Sequence, residues 1–442
     1  MNNGLVSAEP VTVDAELAAA LDEVIRERSI VSLYQPIVDI TSESREVVAY
    51  EALARGPEGS PVQYPDKLFD TARATGRLAE LDWVCRVAAV QGAMDAGLKA
   101  PYTLFCNMEP EAIDAPPPFD LRDTWERAKQ EVRVMTEITE RAMTVRPAEL
   151  LSTAGGIRDA GWGIALDDVG ADPASLALMP FLDPDVIKLD LRLIQDTPSE
   201  DLAEVVNAVN AEAERSNLTI LSEGIETEEH ERTSLAFGAT LGQGWLYGKP
   251  GPLPSPLPEP TRQVQLLGRR LGARQARVSR IVGTVQSIRV GTKPILHSMS
   301  KHLETQARSL GKTAVVLAIF EDAQFFGGAT KARYEALARE TSFVGVMGPG
   351  MPSEPGPGVR GANIDANDEL FDQWGIAVIS PHFAAAFVAR PVRGSDRNVA
   401  DAERQYDFAL TYNREFVVET ARNMMSKITP HTSAPPLGAA GI

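Results

Sequence analysis

Acidic and amide side chains recur in the first 250 residues where apolar runs end, with types and spacing suited to a metal site. In chain order the set is Glu51, Asn107, Glu137, Asp167, Asp168, Lys188, Glu223 and Gln243. Taken singly, each has a plain interpretation, since an Asp at a strand end is more often a helix cap. Brought together, the five carboxylates would repel one another by several kcal/mol without cations between them. The set therefore predicts a site for divalent cations.

The ligand types indicate which cations and which reaction. Oxygen ligands suit Mg²⁺ or Mn²⁺ better than Zn²⁺, and only one of the five histidines, His230, lies in this half of the chain. Adjacent Asp167 and Asp168 can bridge two cations about 3.5–4 Å apart, as in phosphodiester-cleaving sites. Lys188 can orient a water molecule or hold a phosphate oxygen, and Glu223 is placed to act as general base.

The elements that must position these residues alternate between strand and helix. Apolar, strand-like runs cover residues 31–40, 47–55, 102–108, 131–138, 162–168, 184–190, 218–224 and 239–245. Helical patterns cover 14–29, 80–96, 145–160, 198–216 and 226–237. Strands alternating with helices favour a parallel sheet, and eight of them favour a closed TIM-type (β/α)8 barrel whose carboxyl-end rim carries the site.

The first two runs depart from a regular barrel. Only the segment TSESRE separates them, whereas a parallel crossover needs about a dozen residues or more. We therefore predict an antiparallel first strand pair, and hence a variant of the (β/α)8 barrel.

The chain is long enough for a second, smaller α/β domain. The proline-rich segment GPLPSPLPEP (251–260) ends the barrel, because proline breaks helices and sheet ladders. Beyond it, strands are predicted at 313–321, 342–348, 375–380 and 385–390, helices at 295–310, 329–340 and 401–426, and an irregular loop at 351–361. The predicted divisions are an N-terminal helix (1–30), a barrel (31–250), a linker with a basic helix (251–294), the second domain (295–428) and a disordered tail (429–442).

Composition excludes several classes of protein. A net charge of -18 and a pI of about 4.9 argue against binding of a nucleic-acid polymer. Two cysteines cannot make a disulfide framework, and no membrane span or signal peptide is recognised, so a cytoplasmic protein is expected. Arginines cluster in the linker helix, where a solvated face is the first expectation and an anionic partner the second: Arg262, Arg269, Arg270, Arg274, Arg277, Arg280 and Arg289.

The motifs around the acidic set resemble the EAL-type cyclic di-GMP phosphodiesterases. The resemblance runs from about Leu33 to Pro250 through YQPIVDI, EALAR, CNMEPEAI, TEITE, LDDVG, DVIKLD, SEGIETEE and QGWLYGKP. It implies metal-dependent hydrolysis of cyclic di-GMP to pGpG, in a protein that commonly forms a homodimer near the loop after the fifth strand.

The resemblance also implies a role for each matching residue. Glu51, Asn107, Glu137 and Asp167 would hold one metal, and Asp167 with Asp168 the second. Lys188 would contact the attacking water, and Glu223 would act as base. Positions implied for the dinucleotide or its support are Gln35, Leu53, Arg55, Asp190, Glu226 and Gln243. Glu140 matches the glutamate that anchors the loop after the fifth strand.

That loop departs from the family pattern. The family has Asp-Asp-Phe-Gly, a small residue, then Gly-Tyr-Ser-Ser, whereas this chain has DDVGADPAS (167–175). A missing glycine and Pro173 stiffen the segment, which puts its control of activity in doubt. Two alternatives to catalysis therefore stay open: a receptor that binds cyclic di-GMP without turnover, and a signalling scaffold.

The C-terminal part resembles the DICT domain, a sensory module of bacterial signalling proteins. The resemblance covers about 270–428 and depends on AVVLAIFEDAQFF, RYEALA and FVGVMG. It implies regulation of the barrel by a small-molecule or protein effector. A plain α/β domain that stabilises a dimer is the alternative.

Overall fold

A computed structural model describes residues 14–113, 115–139, 146–171, 174–196, 199–258, 260, 262–267, 288–392 and 403–428. The chain packs as two compact units. The first takes residues within 1–38, 46–135 and 247–264, and the second takes those within 39–45, 136–246 and 265–442. Within the described ranges, no helix is both long enough and apolar enough to cross a membrane.

Eight strands close a barrel in which each strand is hydrogen-bonded to its neighbours in chain order. They are β1 (Val31–Asp39), β2 (Val47–Arg55), β3 (Thr103–Asn107), β4 (Val134–Thr139), β5 (Gly163–Val169), β6 (Val186–Leu189), β7 (Thr219–Ser222) and β8 (Leu241–Gln243). The β1–β2 pair is antiparallel, whereas β2–β3, β5–β6, β6–β7 and β7–β8 are parallel. The predicted variant barrel is confirmed.

Helices follow the strands around the barrel. They are α1 (Ala15–Glu27), α2 (Pro65–Ala74), α3 (Leu78–Asp95), α4 (Arg122–Glu131), α5 (Pro147–Asp159), α6 (Ala174–Leu182), α7 (Arg192–Gln195), α8 (Glu200–Ser216) and α9 (Glu228–Ala236). Side-chain caps fix two of the starts: Ser199 accepts from Leu202 N at 3.1 Å, and Thr227 accepts from His230 N at 3.1 Å. Such caps satisfy amide groups that a helix start leaves unpaired.

The barrel strands are apolar on both faces because helices cover the sheet. In β6 all four residues are buried, and three of them are Val186, Ile187 and Leu189. The fourth is Lys188. A charged residue inside so apolar a strand has to be stabilised by partners.

A second, seven-stranded sheet forms from the C-terminal part. Its strands are β9 (Arg289–Thr292), β10 (Val315–Ile319), β11 (Phe343–Gly348), β12 (Val359–Asn363), β13 (Trp374–Ile379), β14 (Ala384–Pro391) and β15 (Gln405–Thr411), in the order β12-β11-β10-β13-β14-β15-β9. The helices are α10 (Lys293–Leu310), α11 (Gly328–Glu340) and α12 (Arg414–Met425). Its core includes Val316, Phe387 and Tyr406. The predicted second α/β domain is thus present.

The predicted helix at 401–426 is wrong in its first half. Residues Gln405–Thr411 form β15, in which Tyr406 and Phe408 are buried two residues apart, as on one face of a strand. The helix begins later, where the Asn413 side chain accepts from Phe416 N at 3.1 Å. Pairing of β15 with β14 and β9 decides the strand, and no local pattern announces it.

The loop predicted at 351–361 is also partly wrong. Strand β12 begins at Val359 and pairs in parallel with β11. A Cβ at Gly361 would lie 1.9 Å from the carbonyl oxygen of Pro352, so glycine there allows close backbone approach. The glycine that marks a turn in the sequence serves instead to fit a strand. The predicted tail at 429–442 and residues 268–287 of the basic helix lie outside the described residues.

Candidate active site

A buried lysine in the second unit gathers three carboxylates around it. Lys188 is the third residue of β6 and only 1% exposed. Its Nζ lies 2.6 Å from Oε1 of Glu137 and 2.8 Å from Oε1 of Glu223. Oδ1 of Asp167 is the third neighbour, at 3.0 Å. A buried ammonium is costly unless paired, and with three acids around one base, negative charge is in excess and favours cations.

A break in strand regularity aims two adjacent aspartates. Successive residues of a strand ordinarily face opposite sides. In β5 the register with β6 shifts between Leu166 and Val169. Within that bulge Asp168 takes a left-handed φ of +56°, and its N–H donates to Oδ1 of Asp167 at 3.0 Å. Bulges re-aim side chains, so neighbouring aspartates here can serve the same cluster.

Asp167, Asp168 and Glu223 form a candidate cation site. Each offers an oxygen, and these oxygens all lie within 4.8 Å of one another. It is the one such group of three or more ligands in the part of the chain that the structure describes. Asp168 is exposed, so the group is reachable from solvent. The donor set is oxygen alone and therefore fits Mg²⁺ or Mn²⁺ rather than Zn²⁺.

The turn after β7 positions Glu223. The next residue, Gly224, has φ of +65°, and a Cβ there would lie 2.4 Å from Cβ of Leu191. Its carbonyl oxygen accepts from Gln195 Nε2 at 2.7 Å. Both the conformation and the close approach require glycine. This turn fixes where the Glu223 carboxylate leaves the strand.

A second acidic group lies in the first unit. Glu51 of β2 is buried, and Nδ2 of Asn107, the last residue of β3, donates to its Oε1 at 3.1 Å. Gln35 lies opposite Glu51 in the β1–β2 register, and its Nε2 donates to Gly248 O at 3.2 Å. The structure thus places together three of the residues that the sequence assigns to metal or substrate.

A cavity of about 240 Å³ opens beside Asn107 in the same unit. Leu53 and Arg55, both assigned to the dinucleotide by resemblance, are among its lining residues. Burial lowers the pKa of Arg55, and Glu51 is the first of the acids that oppose this shift. A half-buried guanidinium at a cavity wall is suited to a phosphate oxygen.

Sequence analysis missed a buried ion pair in this cavity. Asp82 and Arg86, one helical turn apart on α3, lie 2.5 Å from each other and both line the cavity. Asp82 also accepts from Glu109 N at 3.0 Å, and the Arg86 guanidinium stacks 3.8 Å from the centre of the Trp83 ring. Burial raises the pKa of Asp82, against the effect of Arg86. The available signal was an acid and a base four residues apart in the apolar run LDWVCRVAAV.

The other assigned positions have mixed surroundings. Asp190 follows β6 and accepts from N and Nε of Arg192, at 2.9 and 2.8 Å, so it caps a turn. Glu226 is exposed. Gln243 is buried at the end of β8, and its carbonyl accepts from Ile225 N at 3.0 Å. The predicted loop anchor Glu140 lies outside the described residues, as does Pro173.

Comparison with known proteins places the chain in a family. The family model of the EAL domain matches residues 18–250, more than half of the 442-residue chain. This chain belongs to the EAL domain family. A second model, the sensory domain in diguanylate cyclases and two-component systems (DICT), matches residues 280–391. Both recognitions made from the sequence are confirmed.

Curated relatives resemble the EAL domain and its surroundings. The chain is 30% identical over 234 residues to a probable cyclic di-GMP phosphodiesterase, PdeB, of Escherichia coli, covering 52% of this chain and 44% of that protein. It is 27% identical over 255 residues to the cyclic di-GMP phosphodiesterase NbdA of Pseudomonas aeruginosa, covering 55% of this chain and 31% of that protein. The chain therefore spans less than half the length of these relatives.

Solved structures with similar folds include two EAL proteins. One is Klebsiella pneumoniae BlrP1 in a manganese and cyclic di-GMP complex, at 26% identity and a TM-score of 0.44, covering 50% of this chain and 56% of that one. The other is the FimX EAL domain from Pseudomonas aeruginosa bound to cyclic di-GMP, at 18% identity and a TM-score of 0.45, covering 53% and 96%.

Proposed function

We propose that this chain hydrolyses cyclic di-GMP to pGpG with divalent cations bound at the EAL barrel. The family and the names of the relatives support phosphodiester chemistry. The observation that carries the proposal is the Lys188 cluster, in which three acids surround one buried ammonium. An arrangement so rich in acid is costly for stability alone, and cation binding explains it.

The proposed metal ligands come from both units. Glu51, Asn107, Glu137 and Asp167 hold one cation, and Asp167 with Asp168 holds the other. The fit is supported by the oxygen-only donors and by the short separation of the oxygens of Asp167, Asp168 and Glu223. When bound, two divalent cations neutralise phosphate charge and lower the pKa of a water molecule.

Lys188 and Glu223 handle the attacking water in this proposal. Their charged atoms lie 2.8 Å apart, so one water molecule can contact both. Lys188 orients the water by a hydrogen bond, and Glu223 accepts its proton as the water oxygen attacks phosphorus. The bond from phosphorus to the 3′-oxygen breaks, the 3′-oxygen takes a proton from solvent, and linear pGpG results.

Substrate contacts are proposed on the cavity side and around the rim. Arg55 and Leu53 line the cavity in the first unit, where Arg55 offers donors to a phosphate oxygen. Gln35, Asp190, Glu226 and Gln243 are proposed as supporting positions. Because Asp190 is already engaged by Arg192, its proposed part is to hold a turn near the substrate.

We further propose that the C-terminal sensory domain regulates the barrel. Helix α6 begins at Ala174, just beyond the Asp167–Gly170 segment, and its C-terminal carbonyls are capped by Arg422 of α12. The Arg422 Nε atom lies 2.9 Å from the Phe181 carbonyl oxygen. A shift of α12 on effector binding would therefore reach the aspartates through one helix. A homodimer and the domain boundaries given above belong to the same proposal.

The deciding experiment is a hydrolysis assay on the purified full-length chain. Cyclic di-GMP is supplied with Mg²⁺ or Mn²⁺, and the nucleotide products are separated by chromatography. We expect pGpG from the wild type, none with EDTA, and none from Glu51→Ala or Lys188→Ala. Lys129→Ala, which removes an exposed lysine paired with Glu126, is the matched control and should keep full activity.

A receptor without turnover is the second candidate, favoured by the altered segment DDVGADPAS. It predicts calorimetric binding of cyclic di-GMP together with no pGpG under either metal. Metal-dependent turnover by the wild type excludes it. A scaffold role predicts instead that Glu51→Ala leaves signalling intact while removal of residues 261–442 abolishes it.

A further inference from the structure

The C-terminal sheet carries an enclosed cavity that the proposed hydrolysis does not use. Its volume is about 220 Å³, and it lies among α10, the start of α11, the turn after β10 and the first residue of β13. Its size is below the roughly 300–1,000 Å³ of pockets for drug-sized ligands. A ligand of one or two rings is the size that it can take.

The face of α10 toward this cavity is polar where a core helix is ordinarily apolar. Lys293, His297, Ser300 and Glu304 recur at helical spacing and all line the cavity, and Ser300 and Glu304 are buried. Polar groups buried in a core cost stability unless they are bonded. Apolar residues would serve packing better at these positions, so the polar face indicates recognition.

Glu304 is the centre of a fixed network. Its Oε2 lies 2.8 Å from Nε of Arg333, and the Tyr334 hydroxyl is also hydrogen-bonded to it. Burial raises the pKa of Tyr334 well above its ordinary value, so the hydroxyl stays protonated. The Glu304 charge is thus satisfied inside the protein. This network holds one wall of the cavity rigid.

Glu321 presents the acceptor that the protein leaves unused. Its Oε1 is shielded from solvent and has no hydrogen-bond partner among the described residues. A buried acceptor without a donor is costly, about 1–3 kcal/mol. Glu321 lines the cavity, so a ligand with an N–H group would supply the donor.

Aromatic rings supply flat walls. Phe320, Phe325, Tyr334 and Trp374 line the cavity, and Trp374 is held by edge contacts to Phe387 at 5.5 Å between ring centres. Two basic and two acidic side chains also line it, so their formal charges balance. Flat apolar walls with balanced charge select a planar, neutral molecule.

We infer that this cavity is a ligand site for a neutral, planar nitrogen heterocycle of one or two rings that donates an N–H to Glu321. The rings stack between aromatic side chains, and the Glu304 network fixes the opposite wall. Binding here would occupy the sensory domain itself, independently of whether the barrel hydrolyses a nucleotide.

The probe is 2-aminopurine, a neutral two-ring heterocycle whose fluorescence is quenched by stacking. It is titrated into the full-length chain in EDTA, which removes divalent cations from the barrel. With about ten non-hydrogen atoms, a dissociation constant in the micromolar to millimolar range is expected. Glu321→Gln, which turns part of the acceptor into a donor, and Phe325→Ala should each weaken binding about tenfold or more.

Controls make the result specific to the cavity. Phe325 is 45% exposed, so its replacement removes a wall without threatening the core. Glu51→Gln, in the barrel, must leave the dissociation constant unchanged. Absence of saturable quenching by the wild type would overturn the inference. Equal binding by the wild type, Glu321→Gln and Phe325→Ala would overturn it as well, because the probe would then bind elsewhere.

Discussion

Replacing Lys188 by methionine tests the reasoning about the acidic cluster most directly. Methionine keeps most of the volume, so little cavity is created in the barrel. What is lost is the ammonium that lies 2.6–3.0 Å from Glu137, Glu223 and Asp167. Three acids are then left facing one another without their shared partner.

The magnitude follows from the distances and the burial. At these separations, and with an effective dielectric constant of about 20, each pair attracts by about 6 kcal/mol. Most of that gain is offset by desolvation of the buried ammonium, so the net cost of breaking such a pair is about 3–5 kcal/mol. We expect the metal-free variant to lose that much free energy of unfolding. Lys129→Met, on the surface, should lose less than about 1 kcal/mol.

The assay is urea unfolding of both variants and the wild type, each in EDTA and in Mg²⁺. A cation bound at about one hundred times its dissociation constant adds about 2.7 kcal/mol. The gain should be larger in Lys188→Met than in the wild type, because the cation replaces the lost positive charge. Hydrolysis by the variant should fall at least a hundredfold, an effect expected for loss of a group that handles the proton or water, about 10²–10⁴.

Two outcomes would refute this account. A loss below about 1 kcal/mol in EDTA would mean that the ammonium does not offset the acids at the level expected for a buried pair. An equal loss with and without Mg²⁺ would mean that cations do not bind among these carboxylates. Either result would leave the proposed catalytic site without its electrostatic basis.

Three further predictions concern the barrel. Gly224→Ala should destabilise the protein by about 1–3 kcal/mol and reduce hydrolysis, because its Cβ would meet Leu191 at 2.4 Å; urea unfolding checks this, with Gly76→Ala, at φ +69° and with nothing within 4 Å, as the control that should cost less. Arg55→Ala should raise KM about tenfold, or about 1.4 kcal/mol, with little change in kcat; equal KM in the steady-state assay would contradict the phosphate contact. Burial raises the pKa of Tyr50 to about 12, above the value near 10 in the unfolded chain. Its contribution to stability should therefore be present below pH 10 and be lost between pH 10 and 12, and Tyr50→Phe should show a smaller alkaline loss in thermal unfolding.

Much of the barrel was predictable because each strand announces itself locally. The apolar runs at Val31–Asp39 and Val47–Arg55, with a short connection between them, fix both strands and their antiparallel pairing. The same local signals failed in the C-terminal part. Val359–Asn363 is a strand despite its glycine, because β11 offers a partner edge. Pairing between distant segments is not encoded in the composition of either one.

The candidate site shows the same division. Residue types at strand ends were enough to predict an acidic cluster with a lysine in it. The pairing of Asp82 with Arg86, by contrast, was missed, since a charged pair inside an apolar helix is evident as a cavity wall only when the sheet is in place.

The sequence by itself determined the kind of barrel, its family and the identity of the acidic set, because strand periodicity, connection length and motif spacing are local properties. Only the tertiary structure decided how the acids meet. The bulge and left-handed backbone at Asp168 let adjacent aspartates serve one cluster, and Lys188 is held at the centre of three acids drawn from separate strands. It likewise revealed the enclosed cavity beside Glu321. Distances between residues far apart in the chain depend on how the whole sheet closes, and no short stretch of sequence contains that information.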